Sequence, residues 1–232
     1  MLARARFFYD WDWLSAEAEY RRAIELNPNS SDAHQGYARY LALMGNHDES
    51  IIEAKRALDL DPLSLSSIAR LADCYLFSGK PDQAIEEYKK VLELNPNHGP
   101  ARIWLAISYS DNGMYDEALL EIQDYMKQAP EHPTERPNLD IARVYALSGK
   151  KEEAKEILQE TIKLSKQRYI SPTRIAMVYA ILGQRDQAFE LLEKAFKEKD
   201  HWMVFLNIAT EVDNYRSDPR FKALLKKMNF PE

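Results

Sequence analysis

Small and large apolar residues alternate along this chain in two interleaved series. Ala38, Ala72, Ala106, Ala142 and Ala176 form one, each followed three residues later by a large side chain: Leu41, Tyr75, Tyr109, Tyr145 and Tyr179. The second series is Ala16, Ser50, Ala84, Ala118, Ala154 and Ala188, continued on the same face by Tyr20, Ala23, Ala54, Ala57, Tyr88 and Ala195. Residues three, four and seven apart share one side of an α-helix. The pattern therefore predicts pairs of amphipathic helices in which a small residue on one lets a large residue on the other approach.

Proline and glycine divide the pairs. Pro28, Pro62, Pro96 and Pro130 stand 34 residues apart, three of them closing the similar phrases IELNP, LDLDP and LELNP. Gly45, Gly79, Gly113, Gly149 and Gly183 fall 34, 34, 36 and 34 apart, with the two extra residues in EHPTERPN. With proline at position 32 of a 34-residue unit, these glycines occupy position 15, where a left-handed residue can end the first helix without a Cβ penalty. An acid follows at position 18 (Asp48, Asp82, Asp116, Glu152, Asp186), in the first turn of the second helix, facing its unpaired N–H groups. The residue before each proline is biased away from helix, which ends the unit.

These residues resemble the tetratricopeptide repeat, whose pattern has small residues at 8, 20 and 27, aromatics near 11 and 24 and proline at 32. The resemblance implies an all-α fold, a right-handed superhelical solenoid of antiparallel helix pairs with a C-terminal capping helix. The expected units are a truncated first repeat over 1–30, then 31–64, 65–98, 99–134 with its insertion, 135–168 and 169–198, and a capping segment over 199–232. There are departures: the tryptophan frequent at position 4 is replaced by His34, Ile68 and Arg102, glycine is missing at 8, and the last two units lack the closing proline.

By this count Met1 takes position 5, inside a helix, so the chain is expected to be a piece of a longer protein. Phe7, Phe8, Tyr9, Trp11 and Trp13 are expected to pack the first turn, with Trp11 standing where other units have glycine. At the other end DHWMVFLNIA reads as a short helix. SDPRFKALLKKMNF reads as another, capped by Ser217 or Asp218, with Pro219 at its first position and Lys226 and Lys227 in its last turn. A stacked array must cover its terminal face, so this segment is expected to cap. FYDWDWLSAEAEYRRAIELNP, IAMVYAILGQRDQAFELLEKAF and NYRSDPRF are also similar to the C-terminal repeat region of bacterial signalling proteins that carry a winged-helix or serine/threonine-kinase domain. That resemblance implies a sensing or regulatory region of a larger transcription regulator or kinase as the alternative to a stand-alone adaptor.

Composition narrows the function. The 37 acidic and 31 basic residues leave a net charge of −6 with no long block of one sign, so direct nucleic-acid binding is not expected. The apolar stretches 103–110 and 175–184 are far shorter than the ~20 residues of a membrane span, and the start lacks a secretory signal, so a cytoplasmic protein is expected. Cys74 is the one cysteine and reads as a small, partly buried residue, with no positive sequence neighbour to activate it. The five histidines, His34, His47, His98, His132 and His201, show no ligand spacing. Without a phosphate loop or a metal motif, and with Ser171 and Asp186 in no recognisable triad, neither catalysis nor a cofactor or metal is expected.

In this family, positions 2, 5, 9, 12 and 13 of each first helix line the inner groove. Chaperone-tail binders carry Lys at 5 and Asn at 9; neither occurs here. The groove residues expected to hold a protein or peptide partner are instead Gln35, Arg39, Asp73, Phe77, Ile103, Ile107, Asp111, Leu139, Arg143, Met177 and Ile181, an apolar strip dotted with charges that can fix register. Leu76, Ala146 and Ala180 are weighed evenly as core. Closure of the strip or end faces on a second copy, giving a homo-oligomer, is the remaining possibility.

Overall fold

The structure, a computed structural model, describes residues 2–128 and 135–230; Pro130, His132 and the beginning of the EHPTERPN insertion lie outside the described residues. No strand occurs among the described residues. A short helix α1 (Leu2–Ala5) runs into a π-helical turn, Arg6–Asp10, and is followed by α2 (Trp13–Leu26). Five antiparallel pairs succeed it: α3 (Ser31–Leu43) with α4 (His47–Leu60), α5 (Leu65–Phe77) with α6 (Pro81–Leu94), α7 (Gly99–Asp111) with α8 (Tyr115–Gln128), α9 (Glu135–Leu147) with α10 (Lys151–Ser165), and α11 (Pro172–Ile181) with α12 (Arg185–Lys197). Helices pack on their pair-mates, and the first helices α3, α5, α7, α9 and α11 also pack in succession from pair to pair, the architecture of a helical solenoid.

Local chemistry sets these boundaries. All five position-15 glycines have positive φ, between 69° and 87°. Asn27, Asp61 and Asn95, each just before a proline, leave the helix with φ near −145°. Ser30 and Ser64 then cap the next helices by accepting the N–H groups of Ala33 and Ser67 at 3.3 Å. Trp11, at the glycine position of the first unit, adopts the same left-handed conformation with φ 53°. Its ring is buried, stacks on Phe196 at 5.3 Å and lies under the Lys199 ammonium, so tertiary packing offsets the backbone penalty.

The expected interfaces are the observed ones. The position-8 alanines are all 1% exposed or less, and the position-20 residues from Ala16 to Ala188 are completely buried. Beyond α12 the chain departs from the expected short helix. His201–Phe205 and Thr210–Tyr215 are 3-10 turns, and only Pro219–Lys227, capped by Asp218, is α-helical (α13). A 3-10 path eclipses side chains three apart, and here Asp200 anchors it by accepting from Ser171 Oγ at 2.5 Å and from the Thr173 and Trp202 N–H groups at 3.1 Å.

This C-terminal segment does more than cover an end face. α13 packs on α12, while the 3-10 turns fold back over the inner helices toward the N-terminus. The Trp13 indole donates to the Met228 carbonyl at 2.9 Å and its ring stacks on Phe230 at 4.6 Å. Phe7, Phe8, Trp11 and Trp13 share one core with Met203, Leu206, Phe221 and Met228, joining the two ends of the chain.

Candidate functional site

The fold-back of the C-terminal segment turns the concave face into two regions. The segment covers part of the inner helices α5, α7, α9 and α11. Phe205 packs edge-on against Phe77 at 5.8 Å and stacks with Trp104 at 6.3 Å, and Trp202 lies 4.9 Å from Phe205. Asn207 donates to the Leu43 carbonyl at 3.2 Å. A cavity of about 160 Å³ remains beneath this cover, walled by Phe77, Trp104, Ile107, Met177, Phe205 and Ile208. Phe77, Ile107 and Met177 are inner-face positions of first helices, so their part of the apolar wall follows from sequence.

One end of the cavity is charged. Arg143 donates from Nη2 to Asp111, from Nε to Glu211 at 2.6 Å and from Nη1 to Ser110 Oγ at 3.2 Å. Burial would lower the Arg143 pKa, but the flanking Asp111 and Glu211 carboxylates raise it above the ordinary guanidinium value. Burial would likewise raise Glu211, yet Arg143 holds it below the ordinary carboxylate value. Arg174 pairs with Asp140 at 2.6 Å and stacks over Trp202. Both guanidiniums are thus neutralised internally, which a buried charge requires.

The expected groove residues separate accordingly. Phe77, Ile107, Asp111, Leu139, Arg143 and Met177 do converge on one cavity. Ile103 is 1% exposed and Leu139 2%, so Ile103 is core and Leu139 contributes only its cavity-facing surface. Gln35 is buried and donates to Ser31 and Ser67, a link between adjacent repeats. Asp73 accepts from Arg70 and from the Tyr88 hydroxyl, both at 2.5 Å. Arg39 lies over the Phe8 ring, away from the cavity, and Ile181 is half-buried outside it.

Sequence reasoning missed Trp104, Arg174, Asp140, Trp202, Phe205, Ile208 and Glu211 as lining residues. The one available signal was the density of large apolar residues in HWMVFLNIA, too many for a terminal face alone. The other expectations on reactive groups meet plain geometry. Cys74 is fully buried and its thiol is pushed up to about 12 by burial. Ser171 donates straight to a carboxylate and caps α11. Among the described residues no group of His, Cys, Asp and Glu could hold a metal ion, and no helix is long and apolar enough to cross a membrane. A second, more open cleft of about 560 Å³ between the end of α10 and α12 alternates Lys166, Arg168 and Lys194 with Glu190 and Glu198, and presents no single chemistry.

Comparison with known proteins follows the repeat. Family profiles described as tetratricopeptide repeat match residues 19–52, 75–135, 136–168 and 173–200. No curated protein matches the chain. Among solved structures it is similar to a tetratricopeptide repeat protein from Parabacteroides merdae, at 21% identity and TM-score 0.59 over 94% of this chain and 86% of that one. A thermophilic repeat protein in Thermus thermophilus matches at 18% identity and TM-score 0.59, over 87% of this chain and all of the other. A chain of the APC/C hetero-tetramer Cut9-Hcn1 matches at 17% identity and TM-score 0.59, over 93% of this chain and 43% of that one. At these identities the likeness establishes the fold.

Proposed function

Because the chain belongs to the tetratricopeptide-repeat family, we propose that it is a non-catalytic scaffold that holds a protein or peptide partner on its concave face. The observation that carries this reading is the apolar cavity left between the inner helices and the C-terminal segment. Its volume of about 160 Å³ is close to the ~150 Å³ of a dry protein cavity that admits benzene. It suits one aromatic or branched side chain of a partner, the kind of buried anchor that dominates interface energies. The fold neighbour from the Cut9-Hcn1 hetero-tetramer supports a role in complexes.

The test fills the cavity. Ile107 is half-buried on the cavity wall, so Ile107→Trp should plug the space while leaving the repeat interfaces intact. Proteins captured from source cells by the tagged full chain and by this variant are compared, with melting curves for both. Loss of a specifically captured protein by a variant that still folds is the expected result. Unchanged capture by a folded Ile107→Trp chain would refute the cavity as the anchoring point.

A further inference from the structure

Toward the N-terminal end of the concave face, cations outnumber anions. Arg4, Arg39 and Arg70 stand on α1, α3 and α5, the first helices of three consecutive repeats. The Arg39 and Arg4 guanidiniums share one aromatic ring, with Cζ atoms 4.9 and 5.9 Å from the Phe8 centroid. Arg70 reaches Asp73 Oδ2, and the other oxygen of that carboxylate accepts from Tyr88. Both oxygens of Asp73 already accept a hydrogen bond, and three guanidiniums face this one carboxylate. Among the described residues neither Arg4 nor Arg39 has an ion pair.

The donors on this patch are also unmet. The Nε–H groups of Arg39 and Arg70 are both buried without an acceptor. Buried guanidinium donors are ordinarily satisfied, because leaving one unpaired forfeits its hydration with nothing in return. Arg39 bears the strain: its pKa is drawn down to about 10, first by burial and then by the neighbouring Arg70 and Arg4 charges. Elsewhere the same fold neutralises its buried arginines, as Arg143 and Arg174 show. A group supplied from outside would complete this patch in the same way.

We infer that Arg4, Arg39 and Arg70 form an anion subsite that takes a side-chain carboxylate of an acidic peptide lying along the concave face. A planar carboxylate matches the guanidinium fork and can accept from two donors at once. The peptide source rests on the reading of the concave face as the partner surface, whereas the anion chemistry rests on the patch alone. Binding here is local: the chain's net charge of −6 gives no general attraction for anions.

Arginine Nε–Hε resonances of the ¹⁵N-labelled full chain report the subsite directly, with Arg39→Lys identifying the Arg39 signal. The probe is a blocked hexaglutamate peptide, compared with a blocked glycine-serine peptide of equal length and with inorganic phosphate at matched ionic strength. The Arg39 and Arg70 signals should shift saturably with hexaglutamate and stay still with the neutral peptide. Arg4 is exposed, so Arg4→Gln should fold normally and weaken the probe about 3-fold, the scale of one solvent-exposed ion pair. The Ile107→Trp chain should bind the probe as the parent does, which separates this subsite from the cavity. Absence of a saturable shift overturns the inference, and an equal or larger shift with phosphate overturns its assignment to a peptide carboxylate.

Discussion

Removing Glu211 should release the C-terminal segment from the inner helices. In Glu211→Ala, Arg143 keeps Asp111 and Ser110 but loses the partner on its Nε, while its side chain is only 10% exposed and that of Glu211 12%. Breaking one side of a buried pair costs ~3–5 kcal/mol. The remaining Asp111 contact puts this case near the lower end, about 3 kcal/mol, out of the ~5–15 kcal/mol that holds a typical domain. For a chain of this size that is a fall in melting temperature of roughly 6–12 °C. Replacing both partners, Arg143→Met with Glu211→Leu, strands neither Arg143 nor Glu211, though Asp111 loses its guanidinium, and should cost less than the two single changes summed. Urea unfolding of the four proteins, followed by circular dichroism and by tryptophan fluorescence, gives the coupling. The pair also sets a pH dependence. The folded pKa of Glu211 is lowered from 4.5, so its contribution is present above that value and is lost as pH falls through the lower folded one. The stability gap between the parent and Glu211→Gln should therefore close in acid. A Glu211→Ala cost under about 1 kcal/mol at neutral pH, within the range of exposed pairs, would refute the docking of the segment through a buried ion cluster.

Two further outcomes follow from the local geometry. Gly113 has φ 77° and open space around an added Cβ, so Gly113→Ala should cost about 1–2 kcal/mol through backbone strain alone, read as a shifted urea midpoint without a change in slope. Cys74 is buried with its thiol pushed up to about 12, so the native chain at about pH 8 should resist a thiol-specific reagent that titrates it fully in denaturant; rapid modification of the native chain would contradict that burial.

What the sequence determined is the repeat itself. Helix limits, left-handed glycines, proline stops and the buried Ala38-to-Ala176 and Ala16-to-Ala188 series all depend on residues within one unit or its neighbour, and contacts that recur every 34 residues leave a period that can be read. Even the left-handed Trp11 was marked, as the residue standing at a glycine position. The tertiary structure alone decided which groove residues stay available. Gln35 is used up by Ser67 of the next repeat and Asp73 by Tyr88 of its own, and nothing in their residue types distinguishes such inward links from free recognition groups. The C-terminal segment occurs once, so it carries no period. Its course over the concave face is set by contacts such as Glu211 with Arg143, 68 residues apart, and Met228 with Trp13, 215 apart. Those contacts arise because an apolar segment buries itself where shape and charge complement it, a condition that exists only after the helices have stacked.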